Sequence, residues 1–269
     1  MKKILSFFLA AVVMLGMFSG CAADTDRTII VAASESPHAE ILRVVKPILE
    51  RQGYTLEIRI YNDYVTPNLD TQSGKVDANY FQHKPHMDAF NAQNGNHLIS
   101  VANIHYEPMA IYAGTKSSLS SLNGGDRIII PNDPTNRTRA LLLLEAKGVI
   151  LLRDDHGSDI TAEDIESYIV PLNIIEMEAS EIADARDTAS MCVMNGNYAM
   201  QAGLRINQDH MGMEENSEAA ETYANILCVR WGSDRRPKIK ALIEALTSDA
   251  VKYYIRNNYR GLITCAFEE

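Results

Sequence analysis

An α/β fold with open, mainly parallel sheets is what this sequence predicts, and three observations carry that expectation. Short apolar runs of strand length alternate with amphipathic stretches of helix length along most of the chain. The first run, Thr28-Ile29-Ile30-Val31-Ala32-Ala33, is apolar almost without interruption, as strands buried on both faces are. Beyond a stretch rich in Ser, Gly and Asn over residues 115–126, the same rhythm starts afresh at Arg127-Ile128-Ile129-Ile130-Pro131. A length of 269 residues suffices for one large domain or for two lobes with cores of their own.

Lys2 and Lys3, an apolar run over residues 4–18, and the small pair Ser19-Gly20 read as an export signal. The run falls short of the roughly 20 apolar residues that a membrane helix needs. Phe18-Ser19-Gly20-Cys21 resembles the bacterial lipobox, with Phe18 where leucine is usual. That resemblance implies a signal peptide over residues 1–20, acylation of Cys21 and a tether through residue 27. Each buried methylene contributes about 0.8 kcal/mol, and two or more acyl chains hold a protein stably on a membrane. The expected location is therefore a cell membrane, lipid-anchored on its extracytoplasmic face.

Losing the signal removes two lysines and no acids, leaving 23 basic against 35 acidic residues and moving the formal charge from −10 to −12. Such an acidic surface argues against nucleic acid, whose phosphates demand a basic footprint. Cys192, Cys228 and Cys265 remain, an odd number that cannot all pair within one chain. Cys192 and Cys228 sit in apolar strand-like runs, where they are either buried small hydrophobes or a disulfide pair.

Ser36-Pro37 supplies an N-cap and a first-turn proline for a helix whose apolar face is Ile41, Leu42, Val45, Ile48 and Leu49, ending near Gly53. Pro47 inside it should kink or shorten it. Leu56, Ile58 and Ile60 alternate as a strand. A helix over 67–73, a strand over 76–81, a helix over 85–94 and a strand-rich stretch over 97–112 follow. After the strand at 127–131 comes a helix over 137–147, with Ala140, Leu141, Leu142 and Leu144 apolar. Strands are expected over 173–178, 191–194 and 225–231, and helix over 234–257, broken near Ser248. In such folds ligands lie beyond the carboxyl ends of strands, and clefts between domains are favoured sites.

Two places could form a site. In the loop Pro131-Asn132-Asp133-Pro134-Thr135-Asn136, an N-cap at Asn136 puts Arg137 and Arg139 in the first helical turn. That end of a helix is already positive. Arginine there points to an anion, such as a ligand carboxylate held by a guanidinium fork and backbone N–H groups, or to two solvated surface residues. The run Tyr80-Phe81-Gln82-His83-Lys84-Pro85-His86 is dense in aromatic and imidazole groups. It could enclose a thioether, or be a core strand end with surface histidines. A metal reading uses His83 and His86 with His97 and His105, since three or four imidazoles can hold zinc. Pro85 and irregular later spacings weigh against it. No G-x-S-x-G, H-E-x-x-H, P-loop or dinucleotide fingerprint occurs, so neither catalysis nor a cofactor is expected.

At these residues the sequence resembles the NlpA-type family, the methionine-binding lipoproteins of methionine ABC importers. The pieces that carry the resemblance span nearly the whole mature chain. They are Ser36-Pro37-His38-Ala39-Glu40-Ile41, Asp63-Tyr64-Val65-Thr66-Pro67-Asn68, Asp77-Ala78-Asn79-Tyr80-Phe81-Gln82-His83 with Pro85, and Glu107-Pro108. Ile130-Pro131-Asn132-Asp133-Pro134-Thr135-Asn136 with Arg139-Ala140-Leu141, Asn195-Gly196-Asn197-Tyr198-Ala199 and Tyr223-Ala224-Asn225 complete them.

The resemblance implies a two-lobed periplasmic-binding-protein fold with an interlobe cleft. Lobe one would comprise residues 28–113 and 226–269, and lobe two 114–225. It implies Arg139 on a ligand carboxylate, Asn195 and Asn225 at the ligand's backbone end with Asn197 nearby, and Tyr64, Phe81 and His83 around its side chain. His86 stands where the family usually has a pocket tyrosine, Thr138 where glycine precedes the arginine, and Cys265 where proline is expected. The histidine widens the ligand class from L-methionine to a related amino acid, D-methionine or a small methionine peptide. The implied partners are that ligand, an ABC importer permease and, through the anchor, a membrane. Two alternatives are a lipoprotein capturing zinc or another metal through His83, His86 and His105, and a surface lipoprotein without a transport role on the same fold.

Overall fold

The structure is a computed structural model that describes residues 26–215, 217–260 and 262–267, with side chains omitted at 217 and 218. The expected export signal, Cys21 and the tether up to residue 25 lie outside the described residues. Among those described, no helix is long and apolar enough to cross a membrane.

In chain order the first unit runs β1 (Thr28–Ala33), α1 (Glu40–Arg51), β2 (Thr55–Ile60), α2 (Thr66–Ser73), β3 (Ala78–His83), α3 (Lys84–Asn94) and β4 (Leu98–Tyr106). Then come β5 (Ala110–Ala113), β6 (Arg127–Pro131), α4 (Pro134–Ala146), β7 (Ile150–Leu152), β8 (Ile165–Tyr168) and β9 (Asn173–Met177). The short α5 (Ile182–Ala185), β10 (Met191–Met194), α6 (Gly196–Gln201), β11 (His210–Met213) and α7 (Ser217–Thr222) follow. The chain closes with β12 (Asn225–Arg230), α8 (Pro237–Leu246), α9 (Asp249–Tyr259) and β13 (Thr264–Cys265).

Two sheets organise these elements, in the orders β13-β4-β12-β3-β1-β2 and β11-β5-β10-β6-β9, with β7-β8 as a separate ladder. The two-lobed α/β architecture is present, but the sheets are mixed rather than mainly parallel. β1 runs parallel to β2 and β3, whereas β12 is antiparallel to β3 and β4. In the second sheet β6 is parallel to β9 and β10, and β5 antiparallel to β10 and β11. β12 brings the chain back from the second sheet and inserts against the direction of its neighbours. Its unbroken apolar run reports burial on both faces and carries no information on direction.

The first core packs Ile29, Val31, Leu42, Val45, Leu49, Leu227, Leu242 and Ile255 around the first sheet. A second core covers one face of the other sheet with Ile128, Ile130, Leu141 and Leu144, and a third covers its reverse with Ile129, Cys192 and Met194. Cys192 and Cys228 lie in different sheets, and both are buried free thiols, so no disulfide joins them.

Three local expectations change. Ser36 is extended (φ −126°, ψ 137°) and stands in a wide five-residue turn before α1, so Ser36-Pro37 neither caps nor starts the helix. The turn leaves His38 fully buried. Helix α1 runs through Pro47 to Arg51, because Ile41, Leu42, Val45 and Leu49 are all buried along one face and outweigh one missing hydrogen bond. Helix α4 begins three residues earlier than Asn136 would place it. Asp133 is its N-cap and accepts a hydrogen bond from the Asn136 N–H, which puts Arg139 in the second turn.

Candidate functional site

The carboxyl end of β3, the start of α4 and the start of α6 converge on one enclosed cavity. Tyr64, Phe81, His83, His86, Arg139, Asn195 and Asn225, the seven side chains singled out above, all line it, with Gln82, Glu107, Asn136, Gly196 and Asn197. About 310 Å³ of non-atom space, part of it open to solvent, lies between its walls, which stand nearly closed on one another.

Cross-sheet hydrogen bonds hold these walls together. Tyr64 donates to Asn197 Oδ1 at 2.5 Å, and Tyr198 donates to the Asn62 carbonyl at 2.9 Å. His83 Nδ1 accepts from the His86 N–H, so its hydrogen is on Nε2, which donates to Asn136 Oδ1 at 3.1 Å. The same Asn136 oxygen accepts from Asn195 Nδ2 at 2.8 Å, while Asn136 Nδ2 donates back to the capping Asp133. One N-cap therefore orients an asparagine that positions a residue from each sheet.

At one end the wall is aromatic. Tyr64 and Phe81 lie 5.7 Å apart between ring centroids, and His86 meets both rings edge-on. His86 Nδ1 donates to Gln82 Oε1 at 2.9 Å. Burial lowers the pKa of His86, and burial with the nearby Arg139 and His86 lowers that of His83 to about 3. Both rings are neutral at pH 7, as an apolar ligand side chain requires.

The other end is polar. Arg139 is buried and gives Nε and Nη2 to Glu214 at 2.7 and 2.6 Å, while Nη2 also reaches the Glu107 carbonyl at 3.0 Å. Nη1 lies outside these bonds. Burial works to lower its pKa, but the Glu214 carboxylate more than reverses this and keeps the guanidinium charged. Tyr223 stacks beneath it at 4.4 Å. Three buried polar atoms of the lining have no partner: Glu107 Oε2, Asn195 Oδ1 and Asn197 Nδ2. Two are acceptors and one is a donor. Buried polar atoms are seldom left so.

Arg137 is absent from this wall. It pairs with Asp159 and Glu176 and donates to the Ile160 carbonyl. Thr138 does not disturb α4; its hydroxyl accepts from the Ile160 N–H at 2.9 Å. The metal set His83, His86 and His105 is not assembled among the described residues. His105 instead clusters with His38 and Glu107, whose ligand atoms lie within 4.8 Å of one another. In that trio His38 Nε2 is already hydrogen-bonded to Asn225 Oδ1 at 2.9 Å.

Glu214 and the scaffolding role of Asn136 escape sequence reasoning. Glu214 stands in a polar stretch with no pattern to mark it. Glu107 carries a legible signal, an acid set between Tyr106 and the apolar run from Met109 to Tyr112.

The profile of a family described as NlpA lipoprotein matches residues 29–267. A methionine-binding lipoprotein, MetQ, of Bacillus subtilis is 34% identical over 98% of this chain and 98% of its own. A Ruminococcus gnavus crystal structure described as a lipoprotein superposes with a TM-score of 0.87 at 47% identity, covering 90% of this chain and 100% of that one. A nutrient-binding protein of Burkholderia cenocepacia, solved bound to methionine, gives 0.84 at 33% identity, covering 89% and 100%.

Proposed function

This chain belongs to the NlpA lipoprotein family, and from that premise we propose that it is a lipid-anchored substrate-binding protein which captures methionine or a close relative for an ABC importer. The observation that carries this reading is the enclosed cavity with an aromatic wall at one end and unpartnered donors and acceptors at the other. An amino acid with an apolar side chain matches that division. Its carboxylate would take Arg139 Nη1 and Asn197 Nδ2, its ammonium Asn195 Oδ1, and its thioether the rings of Tyr64, Phe81 and His86. His83 and Asn225 complete the walls between these two ends.

Methionine has about nine non-hydrogen atoms, and a ceiling near 1.5 kcal/mol per atom limits binding to about 13 kcal/mol. Tight capture therefore needs nearly the whole ligand enclosed. Residues 28–113 with 226–269 act as one lobe and 114–225 as the other, closing on the ligand by a hinge near residues 113 and 226. The closed form docks on the permease, and Cys21 carries the acyl anchor that keeps the protein beside it. The ligand is held and released unchanged.

Thermal unfolding of ligand-stripped protein with each amino acid, including D-methionine, tests the reading. Saturation at a hundredfold excess over Kd stabilises by about 2.7 kcal/mol. Stabilisation by methionine or a methionine-like compound is expected. A melting temperature that no amino acid moves refutes it.

A further inference from the structure

Glu107 is the one acidic side chain among the cavity's lining residues. It follows β4 and is 5% exposed. Oε1 lies 3.7 Å from both His38 Nε2 and His105 Nε2, whereas Oε2 has no hydrogen-bond partner. A carboxylate oxygen buried without a partner is costly and calls for a cation.

Every element packed around Glu107 leaves that cation to come from the cavity. His38, before α1, has its pKa lowered to about 4 chiefly by burial, and His105 of β4 is lowered to about 3, so both are neutral. Asn225 of β12 spends its oxygen on His38. Arg139 of α4 reaches only the Glu107 backbone carbonyl, its charge being matched by Glu214. Gly196 of α6 presents no side chain at all. A Cβ there would sit 2.7 Å from Glu107 Oε2. The carboxylate thus packs closely against the bare Gly196 backbone, where no side chain could stand, and the unpartnered Asn195 Oδ1 precedes Gly196 in the chain.

We propose that Glu107 is the specificity-determining residue for the ligand's α-ammonium group, its Oε2 and Asn195 Oδ1 together forming the receptor for that cation. The inference rests on the capture of an amino acid between the lobes and names the group that makes the site demand one. A ligand of the same shape without the amino group leaves Glu107 and Asn195 unsatisfied. Zwitterions are accepted and simple thioether acids refused.

Titration calorimetry of ligand-stripped full-length protein with L-methionine and with 4-(methylthio)butanoate, its deaminated analogue, tests this. The native protein should bind the analogue at least about 100-fold more weakly than methionine. Glu107→Gln keeps the shape and removes the charge. It should weaken methionine about 100-fold while bringing the two ligands within about tenfold of each other. Equal affinity of the native protein for both ligands overturns the proposal, whatever the variant does. So does a folded Glu107→Gln protein that keeps native affinity and discrimination. If native protein binds neither compound nor any other amino acid, the capture function itself is wrong.

Discussion

At Arg139 two guanidinium nitrogens are already engaged, by Glu214 and by the Glu107 carbonyl, before any ligand is considered. The guanidinium is therefore as much a structural ion as a binding one. Removing one member of such a buried pair strands the other's charge, which costs about 3–5 kcal/mol. Glu214→Ala should lower stability by that amount in urea unfolding. Arg139→Ala should do the same and also abolish amino-acid binding, whereas fully native stability in either would show the pair to be solvated. Gly196→Ala drives a methyl group against Glu107 Oε2 and should cost about 1–3 kcal/mol together with most of the ligand affinity. Unaltered binding by that variant would mean the Glu107 carboxylate is free to move away. Arg139 stands in the second turn of α4 rather than the first, so of the two signals that mark it in the sequence only the family resemblance holds. Its true setting depends on Glu214, 75 residues away, which no local pattern could announce.

Helix α4 shows what an element contributes beyond its own residues. Asp133 caps it, and the same carboxylate holds Asn136 Nδ2, so that Asn136 can hold His83 from one sheet and Asn195 from the other. Asp133→Ala should cost about 1–2 kcal/mol in stability. It should also weaken ligand binding, measured by calorimetry, more than Ser248→Ala at the start of α9, where the hydroxyl bonds the Ala245 carbonyl far from the cavity. Equal binding by the two variants would separate the cap from the site. The elements were largely legible, because β1, β6 and β10 are apolar runs between clear breakers and the gap between α8 and α9 falls at Ser248. The short β7, β8 and β11 were not. They carry three or four residues each, too few for a period to emerge. Strand direction was equally hidden, since pairing partners are chosen by distant segments.

For the molecule as a whole, buried neutral histidines of the first sheet's unit tie stability to pH. His38, His83 and His105 have pKa values near 4, 3 and 3, below the ordinary 6.5, chiefly through burial. Below pH 6.5 the unfolded chain takes up protons that the folded one refuses, so stability falls as pH drops from 6.5 toward 4. Each histidine contributes a slope of about 1.4 kcal/mol per pH unit over that window. Glu107, raised by burial, acts in the opposite sense as a single group. Urea midpoints should therefore decline steeply between pH 6.5 and 4, and a flat profile would mean these rings are hydrated.

The central claim is that one small zwitterion touches both lobes at once. The most direct test is titration calorimetry of L-methionine into ligand-stripped protein, alongside Phe81→Ala on the first lobe and Asn195→Ala on the second. The account predicts one site per chain and a loss of affinity of at least about tenfold, or 1.4 kcal/mol, in both variants. Native affinity in either folded variant would contradict it, because the ligand would then be held by one lobe alone.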